Sequence, residues 1–124
     1  MQQNESKLQA NIVRWFSLAY PKYERMLFAI ENKRRATPIQ GARLKQQGIK
    51  AGVPDLCLAL PTQNSGALYI ELKFGKNKQT AEQKEFEIAC NKFGNCYELI
   101  YTFDDAVRLI TSYINSYNEF VKKK

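Results

Sequence analysis

Two leucine-alternating segments face each other across a turn sequence, and no other feature of the chain restricts its fold as much. In Asp55-Leu56-Cys57-Leu58-Ala59-Leu60 and in Ala67-Leu68-Tyr69-Ile70-Glu71-Leu72-Lys73-Phe74, apolar residues recur at every second position. That is the period of a strand with one face in a core. Between them Pro61-Thr62-Gln63-Asn64-Ser65-Gly66 is a run of turn formers, which predicts a hairpin of strands over 56–60 and 67–72. A one-residue slip would send one leucine set to the wrong side, so matching the two faces fixes the parity of the register. A turn near Gln63 sets Asp55 opposite Glu71, with Lys73 further along the same face. Directly opposed residues have Cβ atoms about 4.5–5.5 Å apart.

The remaining segments build a sheet around this hairpin. Leu8, Ile12, Trp15, Phe16 and Ala19 follow helical spacing from about Ser6 to Tyr20, and Pro21 ends the run. Met26–Ile30 reads as a short buried strand. Pro38 suits the opening of a short helix and Gly48 its close. Phe86, Ala89, Cys90 and Phe93 predict a helix over 81–93, stopped by Gly94. Cys96 to Tyr101 is a fourth strand. A last helix runs from about Asp104 to Glu119 with Val107, Ile110, Ile114, Tyr117 and Val121 inward, before the basic tail 122–124. The predicted order is α-β-α-β-β-α-β-α, a mixed four-stranded sheet flanked by helices. It forms one α/β domain over residues 1–124, and 14.4 kDa leaves no room for a second. No apolar run approaches the ~18–20 residues of a membrane span, and the N-terminus has no signal-peptide-like apolar region, so a cytoplasmic protein is expected.

Composition narrows the chemistry. Nineteen Lys and Arg against twelve Asp and Glu give a net charge of +7, which favours an anionic partner, above all nucleic acid. Histidine is absent. That excludes Ser-His-Asp and Cys-His catalysis, a His general base and any His-ligated metal. Cys57, Cys90 and Cys96 are odd in number and lack Cys-x-x-Cys spacing, so they read as buried small hydrophobes rather than a zinc site or disulfide framework.

Against that background the polar face of the hairpin is informative. Two opposed carboxylates repel each other unless a cation lies between them. A hard ion such as Mg²⁺ is bound by one or two carboxylates together with phosphate oxygens and water. It can polarise a phosphodiester and acidify the attacking water, and Lys73 on the same face can orient that water or offset developing charge. The same residues also suit a blander arrangement, with Glu71 and Lys73 a solvent-facing pair and Asp55 a turn residue after Pro54.

Taken together, Gly52-Val53-Pro54-Asp55-Leu56, then Ile70-Glu71-Leu72-Lys73, then Gln83 resemble the PD-(D/E)XK nuclease signature. They resemble most closely its VRR-NUC (virus-type replication-repair nuclease) branch. Ala42-Arg43-Leu44-Lys45 and Gly48-Ile49-Lys50-Ala51-Gly52 are similar to the small stand-alone phage and bacterial members. The resemblance runs from Glu5 to about Ile114 and implies a restriction-endonuclease-like α/β core. It implies that Asp55 and Glu71 bind Mg²⁺ or Mn²⁺, that the Leu72 carbonyl adds a ligand, and that Lys73 assists the nucleophilic water. It further implies a metal role for an acid of the first helix, best matched by Glu5, with Glu24 and Glu31 as the other acids available. Gln83 matches a characteristic Gln of the following helix, although Thr80-Ala81-Glu82-Gln83 also fits a capping box, in which its side chain would only satisfy a backbone N–H. Glu31-Asn32-Lys33-Arg34 departs from the family, whose members more often carry a glycine-rich turn there.

Stand-alone relatives imply a homodimer that cuts branched DNA, a four-way (Holliday) junction above all, in DNA repair, with no small-molecule cofactor and no membrane. Trp15, Phe16, Tyr20, Tyr23, Tyr113 and Tyr117 are available to an interface or to the core. The expected DNA-contact surface is Lys33, Arg34, Arg35, Arg43, Lys45 and Lys50, joined by Lys76 and Lys78, since phosphate contacts position a duplex without reading its sequence. Two other readings share these residues: a non-catalytic nucleic-acid-binding module on the same fold, and a flap, nicking or restriction-type nuclease.

Overall fold

The computed structural model describes residues 4–31 and 37–123. The chain begins with helix α1 (Glu5–Ala19), capped by Asn4, whose side chain accepts from Lys7 N–H at 2.9 Å. Leu8, Ile12 and Phe16 lie on one face and are buried. Pro21 cannot continue the helix and starts a 3₁₀ turn (Pro21–Met26), which feeds strand β1 (Leu27–Ala29). Helix α2 (Pro38–Gln46), strand β2 (Leu56–Leu58), strand β3 (Leu68–Leu72), helix α3 (Ala81–Lys92), strand β4 (Cys96–Ile100) and helix α4 (Phe103–Lys122) follow. The predicted order of elements holds.

The sheet order is β1-β2-β3-β4, with β3 and β4 parallel and the other neighbours antiparallel. Leu56 pairs with Ile70, Cys57 with Tyr69 and Leu58 with Leu68, which is the register deduced from the leucine faces. Leu56, Leu58, Leu68, Ile70 and Leu72 form one buried cluster with Leu8, Ile12 and Phe16 of α1 and Ala106, Ile110 and Ile114 of α4. Each fully buried leucine or isoleucine contributes roughly 1.5–3 kcal/mol relative to exposure.

The opposite face of the sheet is covered as well. Phe86 of α3 packs edge-on to Tyr69 at 5.5 Å and lies 6.3 Å from Tyr97, while Cys57 and Cys90 are buried. On this face Asp55, Cys57, Glu71 and Lys73 are buried, which removes the surface-pair arrangement for Glu71 and Lys73.

Several details differ from the sequence reading. β1 is not a buried strand: only Leu27 is covered, and Phe28 is exposed because β1 lies at the sheet edge. Cys96, on the other edge strand, is half-buried rather than buried for the same reason. The buried stripe of α4 is Ala106, Ile110, Tyr113 and Ile114, with Val107 and Tyr117 at its margin and Val121 exposed. A 20-residue helix is about 30 Å long, against about 17 Å for a five-residue strand, so its last turn has no sheet beneath it. On α3, Ala89 and Phe93 are exposed because the helix turns only Gln83, Phe86 and Cys90 toward the strands.

The six aromatic residues considered for an interface are used internally. Phe16 and Tyr113 are buried, and Trp15, Tyr20, Tyr23 and Tyr117 pack against the core. Tyr23 meets Tyr117 at 5.5 Å, and the Tyr20 and Tyr23 hydroxyls donate to Thr111 and Asn118 of α4.

Candidate active site

Asp55 stands immediately before β2, after the buried Pro54. Its backbone is held from both sides. Asp55 N–H donates to Ile70 C=O at 3.1 Å, and Ile30 N–H donates to Asp55 C=O at 2.9 Å. Its Oδ2 accepts from Leu72 N–H at 2.7 Å, a charge-assisted bond that fastens the carboxylate to the end of β3. Glu71 is carried there by strand alternation, on the face opposite the leucines. Its Oε2 accepts from Gln83 Nε2 at 3.0 Å and lies 3.8 Å from Lys73 Nζ. All of these side chains are buried: Asp55 is 7% exposed, Glu71 0%, Lys73 5% and Gln83 5%.

Gln83 shows why its two expected roles are not alternatives. Its Oε1 accepts from Thr80 N–H at 2.8 Å while the Thr80 hydroxyl accepts from Gln83 N–H at 3.2 Å, completing the capping box of α3. With the carbonyl end committed to Thr80, the amide NH₂ end must face Glu71. One side chain caps the helix and holds the carboxylate.

Gly52 fastens the loop that carries Asp55. Its φ is +79°, and a Cβ there would lie 2.6 Å from the backbone of Glu82 in the first turn of α3. Only glycine fits, because the backbone is left-handed and the approach is too close for any side chain. The Asp55 loop and the helix bearing Gln83 are thereby packed together.

A second group of residues adjoins these. Gln79 Nε2 donates to Tyr97 Oη at 3.2 Å and to Glu87 Oε1 at 2.9 Å. Burial pushes the Tyr97 hydroxyl up to about 12; the Gln79 hydrogen bond opposes this, and the negative charges of Glu71, Glu87 and Asp55 add to it. Sequence reasoning passed over Gln79 and Tyr97, since only the β3–β4 pairing sets Tyr97 beside Tyr69.

The other predicted residues fall as follows. Leu72 supplies the N–H that holds Asp55. Glu5 opens α1 and accepts from Asn77 of the turn after β3, at 3.4 Å. Among the described residues no set of three His, Cys, Asp or Glu side chains is arranged to hold one ion. Glu24 and Glu31 are exposed. Lys76 and Lys78 are exposed in the turn that follows Lys73, Arg43 and Lys45 in the last turn of α2, and Lys50 just ahead of Gly52. Lys33, Arg34 and Arg35, and with them the stretch that departs from the family, lie outside the described residues apart from Glu31. No helix among the described residues is long and apolar enough to cross a membrane.

The donor set suits a hard divalent ion. Two buried carboxylates each have one oxygen fixed by an N–H donor, and the Lys73 ammonium lies beside Glu71.

Residues 2–103 match the family model of the VRR-NUC domain. A solved structure described as a VRR-NUC domain protein is similar at a TM-score of 0.79 with 25% sequence identity, over 94% of this chain and 92% of that chain. No curated protein matches this chain.

Proposed function

The chain belongs to the VRR-NUC domain family and has a nuclease-type fold, and from that premise we propose that it is a Mg²⁺-dependent, structure-selective DNA endonuclease. The observation that carries the proposal is the buried Asp55–Glu71–Lys73 group, fixed by Leu72 N–H and Gln83. Burying two carboxylates and an ammonium costs several kcal/mol per ion in general, and a surface ion pair would need none of that arrangement.

Asp55 and Glu71 would hold the ion, with the Leu72 carbonyl as a further ligand; Mn²⁺ would fit the same oxygen donors. A bound ion of this kind supplies charge stabilisation at a phosphodiester and lowers the pKa of water. Leu72 N–H holds the Asp55 carboxylate at the end of β3, so that it need not reorganise when substrate arrives. Gln83 does the same for Glu71. Lys73, anchored by its backbone bond to Ile100 and by Glu71, presents its ammonium to the attacking water or to developing negative charge. Lys76, Lys78, Lys50, Arg43 and Lys45 would neutralise phosphates.

The substrate proposed is branched DNA, in particular a four-way junction, cut by a homodimer. One chain carries one such site, and symmetric resolution needs two cuts related by a two-fold axis. The test is cleavage of a labelled four-way junction against linear duplex, flap and single strand, with Mg²⁺ and with EDTA. Mg²⁺-dependent cutting of the junction in preference to duplex is expected. Binding without cutting in Mg²⁺ or Mn²⁺ would leave the non-catalytic module instead, and preference for a flap would change the substrate.

A further inference from the structure

Helix α2 stands apart from the rest of the fold. None of its residues is buried, and only Gly41 and Leu44 are even half-covered. Its nine residues are stabilised by their own ends. At the N-terminus, Thr37 and Gln40 form a capping box around Pro38. At the C-terminus, Gly48 at φ +93° donates to Lys45 C=O and Ile49 N–H donates back to Leu44 C=O, a Schellman closure. So short a helix is marginal without tertiary support, and caps are what it has.

Its outward surface combines charge and an apolar tip. Residues 37–50 hold Arg43, Lys45 and Lys50 and no acid. Ile39 is 75% exposed and lies one helical turn before Arg43, on the same stripe. Ile88 and Phe93 are comparably exposed, but on α3 Glu82, Glu85 and Glu87 stand among Lys84 and Lys92, whereas the charged residues around Ile39 are all basic. Beyond α2, residues 47–51 lead directly to Gly52, which is pinned against α3 beside the site. From Gln46, the last residue of α2, to Asp55 the chain can span at most about 30 Å, so α2 is tethered to the loop that carries Asp55.

We propose that α2 is a DNA-gripping arm in which Ile39 covers the exposed face of a base pair at a branch point while Arg43 and Lys45 hold the adjoining phosphates. This rests on the reading of the chain as a nuclease of branched DNA. The chemistry is that of an apolar wedge: a junction presents base-pair faces at its crossover, whereas an uninterrupted duplex has every face stacked. Ile39 therefore discriminates shape, and the basic residues supply affinity that ignores it.

The test uses the full chain in EDTA, a synthetic four-way junction carrying 2-aminopurine at the branch, and a hairpin-closed duplex with no open ends. Wild-type protein is expected to prefer the junction and to raise the 2-aminopurine fluorescence. Ile39→Ala is expected to weaken junction binding about tenfold, to leave closed-duplex binding unchanged and to abolish the fluorescence rise. Arg43→Ala is expected to weaken both substrates alike and to reduce the salt dependence by about one phosphate contact. Both positions are exposed, so melting temperatures should match the wild type and identify any variant that misfolds. Ile39→Ala with unchanged junction affinity and fluorescence, or with equal losses on both substrates, overturns the wedge while leaving the nuclease reading intact. Wild-type protein with no preference for the junction overturns both.

Discussion

Replacing Gln83 with Glu separates the two duties of that residue. A glutamate serves a capping box as well as glutamine does, so the helix end is preserved. The contact with Glu71 is inverted, because a donor 3.0 Å from Oε2 becomes a second carboxylate. A hydrogen bond to a charged group, worth about 1.5–3 kcal/mol, is lost. Two like charges at that separation repel by about 5 kcal/mol at an effective dielectric near 20. Rotation of the side chains relieves part of this, leaving a net loss of about 3–5 kcal/mol at pH 8. Protonation removes the repulsion, since a proton shared by the two carboxyls restores a hydrogen bond. The folded pair of the variant thus binds its proton more tightly than the unfolded chain does, and stability falls as pH rises. Urea unfolding in EDTA at pH 4.5, 6 and 8 should show the difference between Gln83→Glu and wild type growing from under about 1 kcal/mol to the full loss. A difference that is the same at every pH, or negligible at pH 8, would refute the claim that Gln83 donates to Glu71.

Gly52→Ala should destabilise the protein by at least about 2 kcal/mol, from the left-handed backbone and the 2.6 Å contact with Glu82, and should reduce cleavage more than DNA binding; chemical denaturation and a junction assay check both. The thiols should be sluggish: burial pushes Cys90 up to about 11 and also raises Cys57 and Cys96, so a thiol reagent at pH 8 should label the native chain far more slowly than the denatured one. Because burial and nearby carboxylates lift Tyr97 to about 12 from an ordinary value near 10, its contribution to stability should be lost as pH rises between those values. Absorbance titration at 295 nm should show a late-ionising tyrosine that is missing in Tyr97→Phe.

The hairpin was legible because its information is periodic. Parity alone set Asp55 toward Glu71; the observed pairing runs to Leu56–Ile70, and beyond it Asp55 N–H donates to Ile70 C=O. What alternation cannot reveal is whether the second face is also covered. Phe86 stacking on Tyr69 makes that face an interior one and turns a surface-like Glu-x-Lys into a buried group. Gln83 was legible as a capping residue from local spacing and as a site residue only by resemblance, since its contact with Glu71 crosses from helix to strand. The phase of α4 and the exposure of β1 were missed because both depend on where the sheet ends. Glu5 reads as a ligand from family position alone; its hydrogen bond from Asn77 joins it to a loop residue that no pattern brings to the first helix.

The most direct test of the account is Asp55→Asn, measured for cleavage and for binding side by side. The amide keeps an oxygen to accept from Leu72 N–H and loses the charge that would hold a divalent ion. Melting close to wild type, junction binding in EDTA within about twofold, and cleavage in Mg²⁺ reduced by about a thousandfold or more are predicted. Undiminished cutting, or binding and cutting lost together in a folded protein, would contradict it.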